Sequence, residues 1–247
     1  MKPVLHIDIN ADLGEGIGNE AKIMPYLSSC NVACGGHAGD SLSMTNAVRL
    51  ARACNVKIGA HPSFPDKVNF GRVEMVITPK ELFTSLKQQI NHLLEVIKLE
   101  GGKLHHIKPH GALYNLAAKD VATASVIIEV LKSVAQPLKL YAPSESLIAK
   151  LAIKNNIEVV IEAFADRNYN DDMSLVSRQN TNAVLTDKNE VLDRVLGVVK
   201  HEKITTVNGV GVRLNACTIC VHSDTENAVE ILKYLSVELP KNNILIQ

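Results

Sequence analysis

Short apolar, β-branched runs alternate along the chain with longer stretches whose apolar residues recur every three or four positions. The short runs predict strands over Val4–Ile9, Asn31–Cys34, Lys57–Ala60, Leu104–Lys108, Leu138–Ala142, Ile157–Ile161 and Ala216–Val221. The longer stretches predict helices over Ser43–Cys54, Pro79–Glu100, Val121–Ala135, Glu145–Asn155, Lys188–Lys200 and Thr225–Leu235. Repeated strand–helix alternation is the signature of a parallel sheet with crossover helices. Helix starts are marked by side chains suited to the free backbone N–H groups of a first turn. Thr78-Pro79-Lys80-Glu81 reads as a capping box with Pro at the first helical position, and Asp187 with Glu190 reads as a second. Leu82, Leu86, Ile90, Leu93 and Ile97 then follow at helical spacing until Gly101-Gly102 stops the run. With no internal repeat, low-complexity tract or linker, residues 1–247 read as one domain.

The strands have a common polarity. Nearly all begin apolar and end in ionisable or hydrogen-bonding residues: Asp8, Asn10, Asp12 and Glu15 after the first, the stretch Cys34–Asp40 with His37 after the second, and His61-Pro62 after the third. Lys108-Pro109-His110-Gly111 follows the fourth, Glu162, Asp166 and Arg167 the sixth, and His222-Ser223-Asp224 the seventh. In a parallel barrel all strand C-termini lie on one face, where active sites are assembled. An open doubly wound sheet gathers strand ends only near its switch point. Polar groups on nearly every strand therefore favour a closed barrel.

Bulk properties exclude several functions. Lys plus Arg and Asp plus Glu each number 26, and no basic run stands out, so the footprint of a nucleic-acid binder is absent. Aromatic residues are 4% of the chain, with no Trp, which argues against stacking on bases or sugars. The opening MKPVLHIDINADLGEG has too short and broken an apolar run for a signal peptide, and no window is apolar enough to span a membrane. Five cysteines in a chain of this size point to reduced thiols, hence to the cytoplasm. There is no GxxxxGK[ST] and no GxGxxG after a strand, so this chain alone has no recognisable ATP site.

The candidate chemistry lies at the strand ends. Asp8, Asn10 and Asp12 share a face if the first strand continues that far. Asp12 and Glu15 are candidates for general acid–base work, while Asp8 serves equally well as a structural partner. His37, His61, His110 and His222 each follow a different strand, and four equivalent imidazoles point to proton transfer or ligand binding. Arg72, Lys108, Arg167 and Arg178 suit anionic groups, and Glu162 pairs with Asp166-Arg167 as a second acidic region, with Asp166 free to brace Arg167. A metal remains open, with Asp8, His61 and His110 as weak candidates, since no HExxH or other compact ligand signature is present. Asp224 reads as the N-cap of the last helix. The cysteines read as structural: Cys217 and Cys220 should face opposite sides of a strand, and Cys34 near His37 is a weak nucleophile candidate. His105 and His106 should straddle their strand, and His6, His92 and His201 read as bystanders.

The segments DINADLGEGIG, CNVACGGHAGD, GAHPSFPD, FGR, KPHGALYN, EAFADRNY and ICVHSD, in this order over residues 6 to 224, resemble the LamB/YcsF family, the A subunits of 5-oxoprolinase. Met173, Ser177 and Ser223 depart from the family pattern in loops, while the ionisable positions are kept. The resemblance implies an incomplete seven-stranded (β/α) barrel of the glycoside hydrolase/deacetylase type. It also implies ATP-dependent opening of 5-oxoproline to glutamate together with partner subunits B and C, ATP being a co-substrate bound with those partners. On that reading Asp12, Glu15, His37, His61 and His110 carry the chemistry. Asn10, Arg72, Lys108, Glu162, Arg167, Arg178 and His222 hold the substrate. Asp12, Glu15 or a His activates water, and His61 or His110 protonates the departing nitrogen. The competing readings are a metal-dependent amidohydrolase or deacetylase acting alone and a lactam-binding subunit without catalytic power.

Overall fold

The structure, a computed structural model, describes residues 3–247. In chain order the elements are β1 (Leu5–Leu13), α1 (Glu20–Ile23), a 3₁₀ turn (Met24–Tyr26), β2 (Ser29–Ala33), α2 (Ser41–Ala53), β3 (Lys57–His61), α3 (Pro79–Leu99), β4 (Leu104–Ile107), α4 (Gly111–Ala117) and α5 (Val121–Lys132). They continue with β5 (Lys139–Pro143), α6 (Leu147–Lys154), β6 (Val159–Phe164), α7 (Lys188–His201), the pair β7 (Lys203–Thr205) and β8 (Gly211–Arg213), β9 (Thr218–Cys220), α8 (Ala228–Lys241) and β10 (Ile244–Ile246). Strands β1 to β6 and β9 pair in parallel in sequence order, and β9 returns to β1 through Asp8–Thr218, Ile9–Ile219 and Asn10–Cys220. The expected seven-stranded parallel barrel is therefore present and closed. β10 adds an eighth parallel strand against Leu5–Ile7, below the point where β9 joins.

Every helix expected from periodicity is found, with ends shifted by a few residues. The capping box of Thr78 and Glu81 sits where expected at the start of α3, whereas at α7 Asp187 is a simple N-cap that accepts from the backbone N–H groups of Asn189 and Glu190 without a return bond from the Glu190 side chain. The largest shifts concern β1, β6 and α8. β1 runs four residues beyond Ile9, so Asp8, Asn10 and Asp12 are all strand residues on one face. β6 starts two residues late and ends three late, which carries Glu162 inside the barrel wall. α8 begins at Ala228 behind Asn227 in a left-handed conformation, so Asp224 is not its cap. The short elements α1, α4, β7, β8 and β10 are too brief for a periodicity argument.

β1 explains the barrel interior. Its odd positions Ile7, Ile9, Ala11 and Leu13 join the apolar core, and its even positions point into the barrel. The interior is accordingly a hydrogen-bonded network rather than an apolar plug. Asp8 accepts from Ser29 (2.7 Å) and Thr218 (2.6 Å). Asn10 donates to Glu162 (3.0 Å) and Thr218 (2.8 Å), and accepts from Asn31 (2.7 Å). His106, fully buried, contacts Asn31 Oδ1 through Nε2 at 2.7 Å and stacks on Tyr141 at 3.8 Å. His105 is only partly buried, so the two neighbours do straddle β4.

Gly59 opposes His106 across the β3–β4 pairing, and a Cβ there would stand 2.1 Å from His106 Nε2. Asn31 and Tyr141 fix that ring, so it cannot yield cheaply. Gly59→Ala is expected to cost about 1–3 kcal/mol through overpacking, read as a fall in Tm of roughly 2–12 °C in a chain of this size. An unchanged thermal transition would show that the ring can move aside.

Candidate active site at the barrel rim

The C-terminal ends of four strands, with the loops that follow them, carry a cluster of buried ionisable side chains. Asp12 ends β1, Glu15 follows it, His37 lies after β2, His61 ends β3, and Lys108 and His110 follow β4. The loop between β3 and α3 folds over them, with Phe70 and Gly71 both at positive φ. Gly71 is required there: a Cβ would meet His37 Cβ at 3.0 Å and His110 Cδ2 at 3.1 Å.

The rings form one packed unit. His37 stacks on His110 at 3.6 Å with an interplanar angle of 3°. His61 meets His110 edge-on, with His61 Nε2 and His110 Nδ1 2.9 Å apart. Glu15 Oε1 lies 2.9 Å from His37 Nε2, 3.5 Å from His110 Nδ1 and 3.9 Å from His61 Nε2. Asp12 Oδ2 is 3.3 Å from His61 Nε2. Donor atoms of Glu15, His37, His61 and His110 all lie within 4.8 Å of one another, which is the spacing of groups able to share one ion.

Outer contacts fix two tautomers. His61 Nδ1 is 2.7 Å from the Lys108 carbonyl, and His110 Nε2 is 3.0 Å from the Phe70 carbonyl. A carbonyl only accepts, so both of these nitrogens carry hydrogen. His37 Nδ1 is buried without a partner. Burial pushes His37 down to about 4 and holds His110 well below the ordinary histidine range, in the latter case with help from the neighbouring His61 and His37. Burial and then the charge of Asp12 push Glu15 up to about 7. Burial also acts to raise Asp12, but the neighbouring His61 ring and the Lys108 ammonium outweigh it and hold that carboxyl well below its usual range.

Lys108 is the cation at the centre. Its Nζ contacts Glu162 Oε1 at 2.9 Å, Asp12 Oδ1 at 3.1 Å, Cys220 Sγ at 3.1 Å and Asn10 Oδ1 at 3.3 Å. Burial opposes its charge, yet Asp12 and Glu162 keep the ammonium form favoured well above the ordinary lysine range.

Opposite the imidazole cluster, Asp166 accepts from the backbone N of His222 (2.8 Å), from its Nδ1 (3.0 Å) and from Thr225 (2.5 Å). His222 stacks on Phe164, and a ring nitrogen lies within 4.8 Å of Asp12 and Cys220 donor atoms. At the lip Asp224 accepts from Arg178 through both oxygens (3.1 and 3.3 Å) and from Arg72 (2.6 Å). Two guanidinium groups against one carboxylate leave the entrance positive.

Asp12, Glu15, His37, His61, Lys108, His110 and His222 thus meet at the rim, with Arg72 and Arg178 at its lip. The other sequence candidates do not reach it. Asn10 is fully buried one layer below, both ends of its amide in use. Glu162 is buried beside it as the partner of Lys108. Arg167 donates to the carbonyls of Val176 and Ala183, bracing the loop before α7. Asp8 lies lower still, paired with Ser29, Thr218 and Lys57, away from the donor atoms that could share an ion. Asp166 hydrogen-bonds His222, not Arg167. Cys220 joins the site although its sequence context marks it as structural; its alternation with the inward Thr218 was the available signal. Burial raises the Cys34 thiol to about 12, which leaves no thiolate for a nucleophile near neutral pH.

The sequence profile of the LamB/YcsF family matches residues 7–247. The chain belongs to this family. Relatives bearing the name of the 5-oxoprolinase A subunit match along almost their whole length. That of Pyrococcus horikoshii is 42% identical, covering 98% of this chain and 97% of the relative. That of Bacillus cereus is 44% identical, covering 97% of each. Among solved structures, the lactam utilization protein from Thermus thermophilus superposes with a TM-score of 0.90 at 37% identity, over 98% of this chain and 99% of that one. The barrel is therefore shared with that protein. Among the described residues no helix is long and apolar enough to cross a membrane.

Proposed function

We propose that this chain is the A subunit of an ATP-dependent 5-oxoprolinase, a cytoplasmic hydrolase that opens 5-oxo-L-proline to L-glutamate together with subunits B and C. The observation that carries the reading is the meeting of Asp12, three stacked or edge-on imidazoles, Lys108 and His222 at one positive barrel mouth, in a chain whose full-length relatives bear that name. A five-membered lactam is an unreactive amide; phosphorylation of its carbonyl oxygen by ATP activates the carbon for attack by water. Departure of the ring nitrogen then leaves an acyl phosphate, and a second water releases phosphate to give glutamate. The chain has no phosphate-binding loop, so nucleotide binding falls largely to the partners.

Roles follow from what each side chain has free. Arg178 and Arg72 grip the substrate carboxylate in place of Asp224. Lys108 offsets negative charge developing near Asp12. Asp12, held as a carboxylate, takes the proton of the attacking water. The departing nitrogen receives the Nε2 proton of the imidazolium form of His222, whose Nδ1–H is held by Asp166. This role passes from His61 and His110 because both of those rings have their outer nitrogens on backbone carbonyls and their inner ones turned toward each other.

The test is glutamate formation from 5-oxoproline and ATP by this chain, by the B and C subunits, and by all three. Production only with all three is expected. Equal rates from B and C alone would overturn the assignment. In the complete enzyme Arg178→Ala is expected to raise KM about 10- to 100-fold with kcat little changed, the cost of losing one charge-assisted pair; an unchanged KM would remove Arg178 from the substrate site.

A further inference from the structure

We propose that Glu15, His61, His110 and His37 bind one divalent cation of the zinc type. The proposal concerns the cluster itself and stands whichever substrate the barrel takes.

The hydrogen positions on the rings set the chemistry. His61 donates Nδ1–H to the Lys108 carbonyl and His110 donates Nε2–H to the Phe70 carbonyl. Each neutral ring therefore has a lone pair on its other nitrogen, and those two nitrogens face each other at 2.9 Å. Two lone pairs at hydrogen-bond distance repel unless something positive lies between or beside them. A carboxylate oxygen of Glu15, 3.5 Å from one and 3.9 Å from the other, adds more negative charge to the same point. Either a shared proton or a metal ion resolves this arrangement.

The arrangement suits the ion. Metal–ligand bonds of about 2.0–2.1 Å in a tetrahedron put neighbouring donor atoms about 3.3 Å apart. The separations here, 2.9 Å for His37–Glu15, 2.9 Å for His61–His110, 3.5 Å for His110–Glu15 and 3.9 Å for His61–Glu15, bracket that spacing. Two of the three imidazoles have the outer N–H to carbonyl bond that orients metal-ligating histidines. Three imidazole nitrogens with one carboxylate oxygen is a donor set for zinc or cobalt rather than magnesium or calcium. All four residues are largely buried, so the geometry is held before an ion arrives. When bound, such an ion supplies a Lewis acid at the rim beside Asp12.

The test uses the untagged full-length chain, stripped with a chelator and titrated with Zn²⁺ by calorimetry and with Co²⁺ by visible spectroscopy. One equivalent per chain with intense four-coordinate Co²⁺ ligand-field bands is expected. His110→Ala and Glu15→Ala should each weaken binding by about 100-fold or more, since loss of an outer-shell contact alone typically costs 10–100-fold. His92→Ala, outside the cluster, should bind as the parent does. Circular dichroism melts show whether each variant is folded. Should a variant not fold, the parent chain still decides, by Co²⁺-induced shifts of the His61 and His110 ring nitrogens in NMR. No stoichiometric uptake by the parent would leave a shared proton as the occupant and overturn the proposal. Uptake that survives His110→Ala and Glu15→Ala would overturn it too, by locating the ion elsewhere. Neither result bears on glutamate formation, which is measured separately.

Discussion

Asp12→Asn is expected to lower kcat of the assembled enzyme by about 10²–10⁴-fold, the range lost when a positioned general base is removed, with KM within a few-fold of the parent. The amide preserves shape: its oxygen can still accept from Asn31, which donates to Asp12 Oδ1 at 2.8 Å. What disappears is the charge that faces Lys108 and the lone pair that takes the proton of water. Saturation kinetics for 5-oxoproline separate the two parameters, and equal losses in kcat and kcat/KM would mark an interaction made only in the transition state. A kcat within three-fold of the parent would exclude Asp12 as the base.

Lys108→Met should have the largest effect on stability. Lys108 is 2% exposed and touches two carboxylates that are themselves buried, Asp12 and Glu162. Removing the cation leaves two uncompensated buried charges, and breaking such a pair costs about 3–5 kcal/mol, a Tm fall of roughly 6–20 °C in a chain of this length. The mechanism can be checked by neutralising what is left behind. Lys108→Met combined with Asp12→Asn and Glu162→Gln should recover most of the lost Tm while activity stays lost. If the triple variant melts no higher than Lys108→Met alone, lost packing of the lysine stem, not stranded charge, is the cause.

These two residues show how the site depends on the barrel interior. Asp12 is the top of a polar row, Asp8–Asn10–Asp12, that β1 turns inward, and Lys108 reaches from the end of β4 to join it to Glu162 of β6 and Cys220 of β9. A charged core of this kind is stable only because nearly every polar atom has a partner. Among the buried side-chain atoms left over are Glu162 Oε2 and Tyr114 Oη, both close to Lys108's neighbourhood.

The sequence by itself determined the parallel barrel, because strand–helix alternation and helix caps are local signals, and it determined that His37, His61, Lys108 and His110 belong together, because each follows a strand and parallel strands end on one face. It also carried the family in its motifs. It did not determine depth. Glu162 and Asn10 look the same in sequence as Asp12, yet the late end of β6 at Phe164 and the register of β1 sink them a layer below the rim. Nor did it distinguish Arg167, spent on backbone carbonyls, from Arg178, which reaches the lip. The pairing of Asp166 with His222 joins positions 56 residues apart, and that of Asp224 with Arg72 joins positions 152 apart. Such choices are made by strand register and loop packing across the closed sheet, and a single strand's pattern contains neither.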